Sequence, residues 1–153
     1  GAERRNDCSR ARHHPADERG GRWAGRTGED RDWLLPRLSW GTLGYHYRWT
    51  ERTYEPGRRS PFPPSLAALA SDIAAACGDP MVGEAAIVNF YGPRSTMGGH
   101  QDDAEPHQAA PIVSISVGLE AVYLLGGPTK DVEPLAMRLR SGDVVVQGGA
   151  SRG

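Results

Sequence analysis

Apolar residues in this chain follow two rhythms, separated by breakers. Between Ser65 and Cys77, residues Leu66, Leu69, Ala70, Ile73, Ala74 and Cys77 recur at helical spacing. That spacing predicts one helix with a single apolar face. Pro63 and Pro64 precede it, Ser65 offers an N-cap, Gly78 suits the position after the C-cap, and Pro80 is a stop. Cys77 is expected on the buried face as a small core hydrophobe. Elsewhere the runs are short, β-branched and aromatic. Residues 43–49 predict a strand with Tyr45 and Tyr47 on one face and His46 on the other. Further strands are predicted over residues 86–91, 111–117, 121–125, 135–139 and 144–147. Residues 118–120 and 141–143 read as turns, residues 126–134 as a loop, and residues 56–64 as a loop with Arg58 and Arg59 at its tip. Short strands with glycine-rich turns and one clear helix predict an α+β, mainly β, chain. The expected architecture is an antiparallel sheet packed on itself, of jelly-roll type, with one or two helices outside.

Residues 1–32 break the pattern. They are rich in Arg, Gly, Asp and Glu, with almost no large apolar side chain. Such a stretch cannot bury enough surface to offset its ordering entropy, so a solvated, disordered tail is expected. Its arginines are nearly cancelled by interspersed acids, which disfavours an acid-poor transit peptide. His13-His14 there is a weak metal hint beside the plainer reading of a chance pair. The folded domain is expected over residues 33–153.

Composition narrows the function classes. The 153 residues suffice for one domain, and a net charge of −1 supplies no global field to recruit nucleic acid, though a local basic patch stays possible. Cys8 and Cys77 sit in dissimilar contexts, so no disulfide framework is expected and a reducing, intracellular compartment is the default. Nucleus, mitochondrion and cytoplasm are not distinguished. No apolar run approaches a membrane span, and a monomer is expected.

The candidate chemistry lies in the stretch AIVNFYGPRSTMGGHQD, residues 86–102. Residues two apart in extended backbone face the same way, so His100 and Asp102 can aim at one spot, as can Asn89 and Tyr91. An imidazole and a carboxylate are two of the three protein ligands of a 2-His-1-carboxylate iron(II) site. Taken alone, His-x-Asp in a loop is more often a solvated pair. Upstream, Tyr45, Tyr47 and Tyr54 interleave with Arg48 and Arg52. That segment reads either as a hairpin on the core or as a base-stacking surface.

The order of these features is more specific than any one of them. LGYHYRW, PFPPSLAALASDIAAACG, NFYGPRSTMGGHQD, PIVSISVG, AVYLLGGPTKDVEP, LRSGDVVV and GGASR together resemble the AlkB family of iron(II) and 2-oxoglutarate-dependent dioxygenases. Within it the likeness is to the eukaryotic branch related to the nuclear and mitochondrial enzyme, and it spans residues 38–152. The resemblance implies a double-stranded β-helix. It also implies iron(II) on His100 and Asp102, and 2-oxoglutarate held around Asn89, Phe90 and Tyr91, the first and last by their amide and phenol. Tyr45, Arg52, Tyr54 and Lys130 match positions on the substrate side. The implied partner is nucleic acid, tRNA or DNA, carrying an N-methylated base, and the implied reaction is oxidative demethylation that releases formaldehyde and succinate.

Departures from the family pattern bear on these expectations. Gln147 stands where bacterial members often have Trp, and Ala104 where some have a carboxylate. Both concern substrate identity. The family's distal iron-binding His and its 2-oxoglutarate-anchoring Arg pair lie beyond the S-R dipeptide, past Gly153. The domain is therefore expected to be incomplete at its C-terminus and inactive as this piece. His107 is read as solvent-exposed rather than as a substitute ligand. The rival expectation is a nucleic-acid-binding module without turnover. The sequence following Gly153 discriminates the two.

Overall fold

A computed structural model describes residues 39–48, 50–129 and 131–152. Trp49, Lys130, Gly153 and the predicted tail over residues 1–32 lie outside the described residues. In chain order the elements are β1 (Trp40–Arg48), β2 (Thr53–Arg59), α1 (Pro64–Ala76), β3 (Ala85–Asn89), β4 (Ile112–Ile115), β5 (Ala121–Leu125), β6 (Leu135–Leu139) and β7 (Val144–Gln147). A 3₁₀ turn, Gly149–Ser151, follows. The described chain is thus mainly β with one helix. It divides into two compact units. One holds β1, β2, β3 and the chain up to Gly98; the other holds α1, β4 to β7 and the chain from Gly99.

In the first unit β1 is the middle strand of the order β2-β1-β3, antiparallel to both neighbours. Its two halves serve different partners. Trp40 to Gly44 face β3, and Tyr45 to Arg48 face β2. Gly44 sits at the changeover with φ +71. A Cβ there would fall on the Glu84 carbonyl oxygen, which instead accepts the Tyr45 amide at 3.2 Å. Only glycine tolerates both the left-handed φ and the close backbone approach.

The structure corrects the predicted loop after residue 56, because β2 continues to Arg59. A proline is tolerated there because β2 is an edge strand, where a missing N–H costs no ladder bond. The register shows the compromise. Tyr45 pairs with Arg59 while His46 pairs with Glu55, so the ladder skips Pro56, Gly57 and Arg58.

In the second unit the pairing is nested. β5 pairs with β6, and β4 pairs with β7 around them, all antiparallel. The strands predicted over residues 121–125, 135–139 and 144–147 form with those bounds, and the one predicted over 111–117 shortens to Ile112–Ile115. The turn between β6 and β7 is tight. Arg140 N–H donates to Asp143 Oδ2 at 2.7 Å, and Gly142 adopts φ +94. Gly142 N–H also reaches the Ser116 carbonyl at 2.8 Å, tying this turn to the end of β4.

Helix α1 packs against β4. Ala70 and Ala74, one turn apart, are the buried hydrophobic residues among those described. Three details of the helix differ from expectation. Pro64 occupies the first turn with Pro63 as N-cap, so Ser65 is not the cap and makes no capping bond. Cys77 is the C-cap and is exposed, and Leu69 is 47% exposed. The apolar stripe is wider than the face the small alanines bury. Gly78 behaves as expected. At φ +82 it lets Asp79 N–H reach the Ala74 carbonyl and its own N–H reach Ala75, a Schellman ending.

Two of the left-handed glycines, Gly44 and Gly78, give a graded test. Gly78→Ala meets open space and should lose about 1–2 kcal/mol from backbone conformation. Gly44→Ala adds a backbone clash and should lower the thermal midpoint several times as far, as thermal unfolding followed by circular dichroism would measure.

Candidate metal centre

The chemistry-bearing stretch is a long connection between β3 and β4. β3 ends at Asn89, but Phe90 N–H still donates to the Ser39 carbonyl at 2.8 Å, so the chain stays extended one residue further. Asn89 and Tyr91 are both exposed. The Tyr91 hydroxyl donates to Met97 Sδ at 3.6 Å, a weak bond that a charged acceptor would displace. A turn at Gly92–Ser95 follows, closed by Ser95 N–H to the Gly92 carbonyl at 2.9 Å and Gly92 N–H to Ser95 Oγ at 3.0 Å.

In the second unit, past Gly98 and Gly99, the predicted convergence of His100 and Asp102 is present. Nε2 of His100 lies 3.6 Å from Oδ1 of Asp102. Bonds of about 2.1 Å to one divalent first-row ion place neighbouring ligand atoms roughly 3–3.5 Å apart. The two donors need only close slightly to share an ion. Both side chains are about half exposed, 54% and 42%, which leaves the outer side of the pair open to further ligands. An imidazole nitrogen and a carboxylate oxygen suit iron(II) as a donor set. Among the described residues no third His, Cys, Asp or Glu completes a ligand group, and His107 is exposed, as expected.

Tyr123, at the middle of β5, adds to the electrostatics around Asp102. Burial, and then the negative charge of Asp102, push its phenol above the ordinary value of 10.0. Tyr123 lies opposite Met137 on the half-buried face of the β5–β6 pair. It was not among the residues singled out from the sequence. Nothing in the run AVYLL distinguishes a strand tyrosine near a carboxylate from any other.

The substrate-side candidates are only partly brought together. Tyr54 lies opposite Tyr47 on the β1–β2 hairpin, with ring centroids 5.2 Å apart in an edge-to-face arrangement. Tyr45 is covered by Arg59, whose guanidinium carbon is 4.8 Å from the ring centroid. Arg52 occupies the hairpin turn at φ +51, an uncommon conformation for a residue with a Cβ. Tyr47 and Arg59 are therefore partners that the sequence reading did not assign. Lys130 lies outside the described residues. One more residue emerges that sequence reasoning missed. Arg152, just after the 3₁₀ turn, is buried and paired with Glu105, three positions past Asp102.

Comparison with known proteins follows the same residues. The family model described as "2OG-Fe(II) oxygenase superfamily" matches residues 3–153. The chain is 45% identical over 120 residues to the nucleic acid dioxygenase ALKBH1 of Mus musculus, covering 78% of this chain and 31% of that protein. It is 45% identical over 123 residues to the DNA N(6)-methyladenine demethylase ALKBH1A of Arabidopsis thaliana, covering 78% and 36%. Against the tRNA demethylase abh1 of Schizosaccharomyces pombe it is 40% identical over 119 residues, covering 76% and 39%. The chain spans about a third of the length of these relatives. The solved structure of OsALKBH1 aligns with TM-score 0.67 and 26% identity, covering 75% of this chain and 63% of that one.

The Tyr123 environment makes a pH prediction. A raised folded-state value favours the neutral phenol in the fold. Its stabilising contribution is present below about pH 10 and is lost as pH rises through the raised value. Asp102→Asn should lower the Tyr123 value yet leave it above the ordinary one, because burial is the larger cause. Phenolate absorbance against pH, with Tyr123→Phe as the blank, measures it. An Asp102→Asn curve identical to the parent would refute the coupling.

Proposed function

The chain belongs to the 2OG-Fe(II) oxygenase superfamily, and on that premise we propose that it carries the iron- and keto-acid-binding part of a nucleic-acid demethylase of AlkB type. The observation that carries this reading is the His100–Asp102 pair, whose donors lie within reach of one ion and stay open outward. In this reading His100 and Asp102 hold iron(II). Asn89 and Tyr91 offer an amide N–H and a phenol O–H to a 2-oxoglutarate carboxylate, with Phe90 between them. Tyr91 then exchanges a thioether acceptor for a charged one. The chemistry supplied by iron(II) and 2-oxoglutarate is oxidation of an N-methyl group by O2, with succinate, carbon dioxide and formaldehyde as products. The described strands belong to a double-stranded β-helix, a reading supported by the nested β4–β7 and β5–β6 pairs and by the alignment with OsALKBH1.

On the substrate side, Tyr45, Arg52 and Tyr54, with Lys130, meet a nucleotide whose methylated base is single-stranded or flipped out of its stack. Aromatic faces stack on a base, and the arginines neutralise phosphate. Relatives named for DNA N(6)-methyladenine and tRNA demethylation support methylated adenine in DNA or tRNA as the substrate class. The same hairpin favours one second reading. Its tyrosine–arginine layers could bind single-stranded nucleic acid without turnover.

Formaldehyde and succinate release from N-methylated tRNA and DNA oligonucleotides, by protein expressed from the complete reading frame, tests the proposal. Both products should form, and His100→Ala or Asp102→Ala should each reduce turnover by more than about 100-fold. Tight oligonucleotide binding with neither product formed, iron and 2-oxoglutarate being supplied, would reject the enzyme in favour of the binding module.

A further inference from the structure

We propose that Arg152 is a positioning residue for the metal-binding loop: its buried guanidinium clamps the Glu105 carboxylate and the Gln108 carbonyl, and so holds the backbone that presents His100 and Asp102. The inference rests on the assignment of that pair as metal ligands.

Residues 99–105 form neither helix nor strand. Without ladder bonds, such a segment keeps one geometry only if something outside it ties it down. Arg152 supplies the tie. Its Nη2 donates to Glu105 Oε2 at 3.2 Å and its Nε to the Gln108 carbonyl at 3.1 Å, across 47 and 44 residues of chain. The loop is also bound to itself at that point. Gln108 Nε2 donates to the Glu105 carbonyl at 2.6 Å, and Ala110 N–H to the His107 carbonyl at 3.1 Å. Glu105 is three residues from Asp102, so an anchor at Glu105 leaves little slack for the ligands.

The other end of the clamp is equally fixed. Arg152 N–H donates to the Gly149 carbonyl at 3.2 Å, within the turn that ends β7. Gln147, at the end of β7, pairs with Ile112, the first residue of β4. The loop therefore runs into the same ladder from which Arg152 reaches back.

The chemistry favours arginine specifically. The side chain is 5% exposed against 28% for Glu105, so the charge is largely out of water and depends on its carboxylate. Two different nitrogens of the planar guanidinium, Nε and Nη2, serve two acceptors at fixed spacing, which the point-like ammonium of lysine cannot reproduce. Nη1 is buried with no hydrogen-bond partner among the described residues. Burial is thus kept despite an unmet donor, which is unusual for a group that only adds stability.

Hydrogen exchange and cobalt(II) titration on the full chain test the clamp, cobalt(II) absorption reporting on the His–carboxylate site. Arg152→Lys and Glu105→Gln should each speed exchange over residues 99–111, leave the β5–β6 hairpin unchanged, and weaken cobalt(II) binding about tenfold. The double variant should be no worse than the poorer single one, since both remove one interaction. Unchanged loop exchange and cobalt(II) binding in both variants, with binding lost in His100→Ala, would overturn the clamp and leave the metal assignment standing. Faster exchange everywhere, the β5–β6 hairpin included, would make Arg152 a general stabiliser and overturn it as well. If His100→Ala binds cobalt(II) as the parent does, the metal assignment fails and the clamp's role falls with it.

Discussion

The antiparallel ladder between Ile112–Ile115 and Val144–Gln147 is the constraint on which the second unit depends. It closes a long excursion of chain, and that closure has to offset the loop entropy it removes. Three features help it. The β5–β6 hairpin fills the excursion with its own local pairing, so little of the closed segment is idle. The Ser141–Asp143 turn returns the chain with glycine at a left-handed φ and an aspartate bonded to Arg140. Helix α1 packs against β4 and buries the small side chains of Ala70 and Ala74. From this ladder both flanks of the chemistry are set: the loop that carries His100 and Asp102 enters β4, and Arg152 leaves from β7.

The chemistry-bearing side chains are all less buried than the scaffold around them needs. That is what a binding surface requires. A ligand atom that must meet an ion or a carboxylate cannot spend its hydrogen-bonding capacity on the protein core. The Tyr91 hydroxyl donates to a thioether, a weak acceptor, and the His100–Asp102 pair stays half exposed. Tyr123 extends the same logic to electrostatics, since a neutral phenol beside Asp102 adds no further negative charge near the carboxylate.

The first unit solves a different problem. β1 must pair with one strand along each half, and Gly44 lets it change partner without a side chain in the way. The hairpin beyond it presents tyrosines in two layers, Tyr47 against Tyr54 and Tyr45 under Arg59. The Tyr45 layer combines an aromatic face with the positive charge of Arg59, while the other is a tyrosine pair.

Much of this was legible from residue order alone, because the signals are local. Period and breakers placed α1 and most strands, since a side chain's direction follows from backbone geometry one or two residues away. The spacing of His100 and Asp102 foretold their convergence for the same reason, and the ordered set of motifs pointed to the oxygenase family that the comparisons then showed. What escaped was settled by distant partners. Pro56 and Gly57 read as loop because edge position, which excuses a missing donor, is a property of the sheet. Cys77 looked buried because helical spacing names a face but not how much of it a neighbour covers. Arg152 entered the sequence reading only as part of the GGASR motif, with no role of its own. Its burial against Glu105 depends on the β4–β7 pairing, which brings together residues more than forty positions apart.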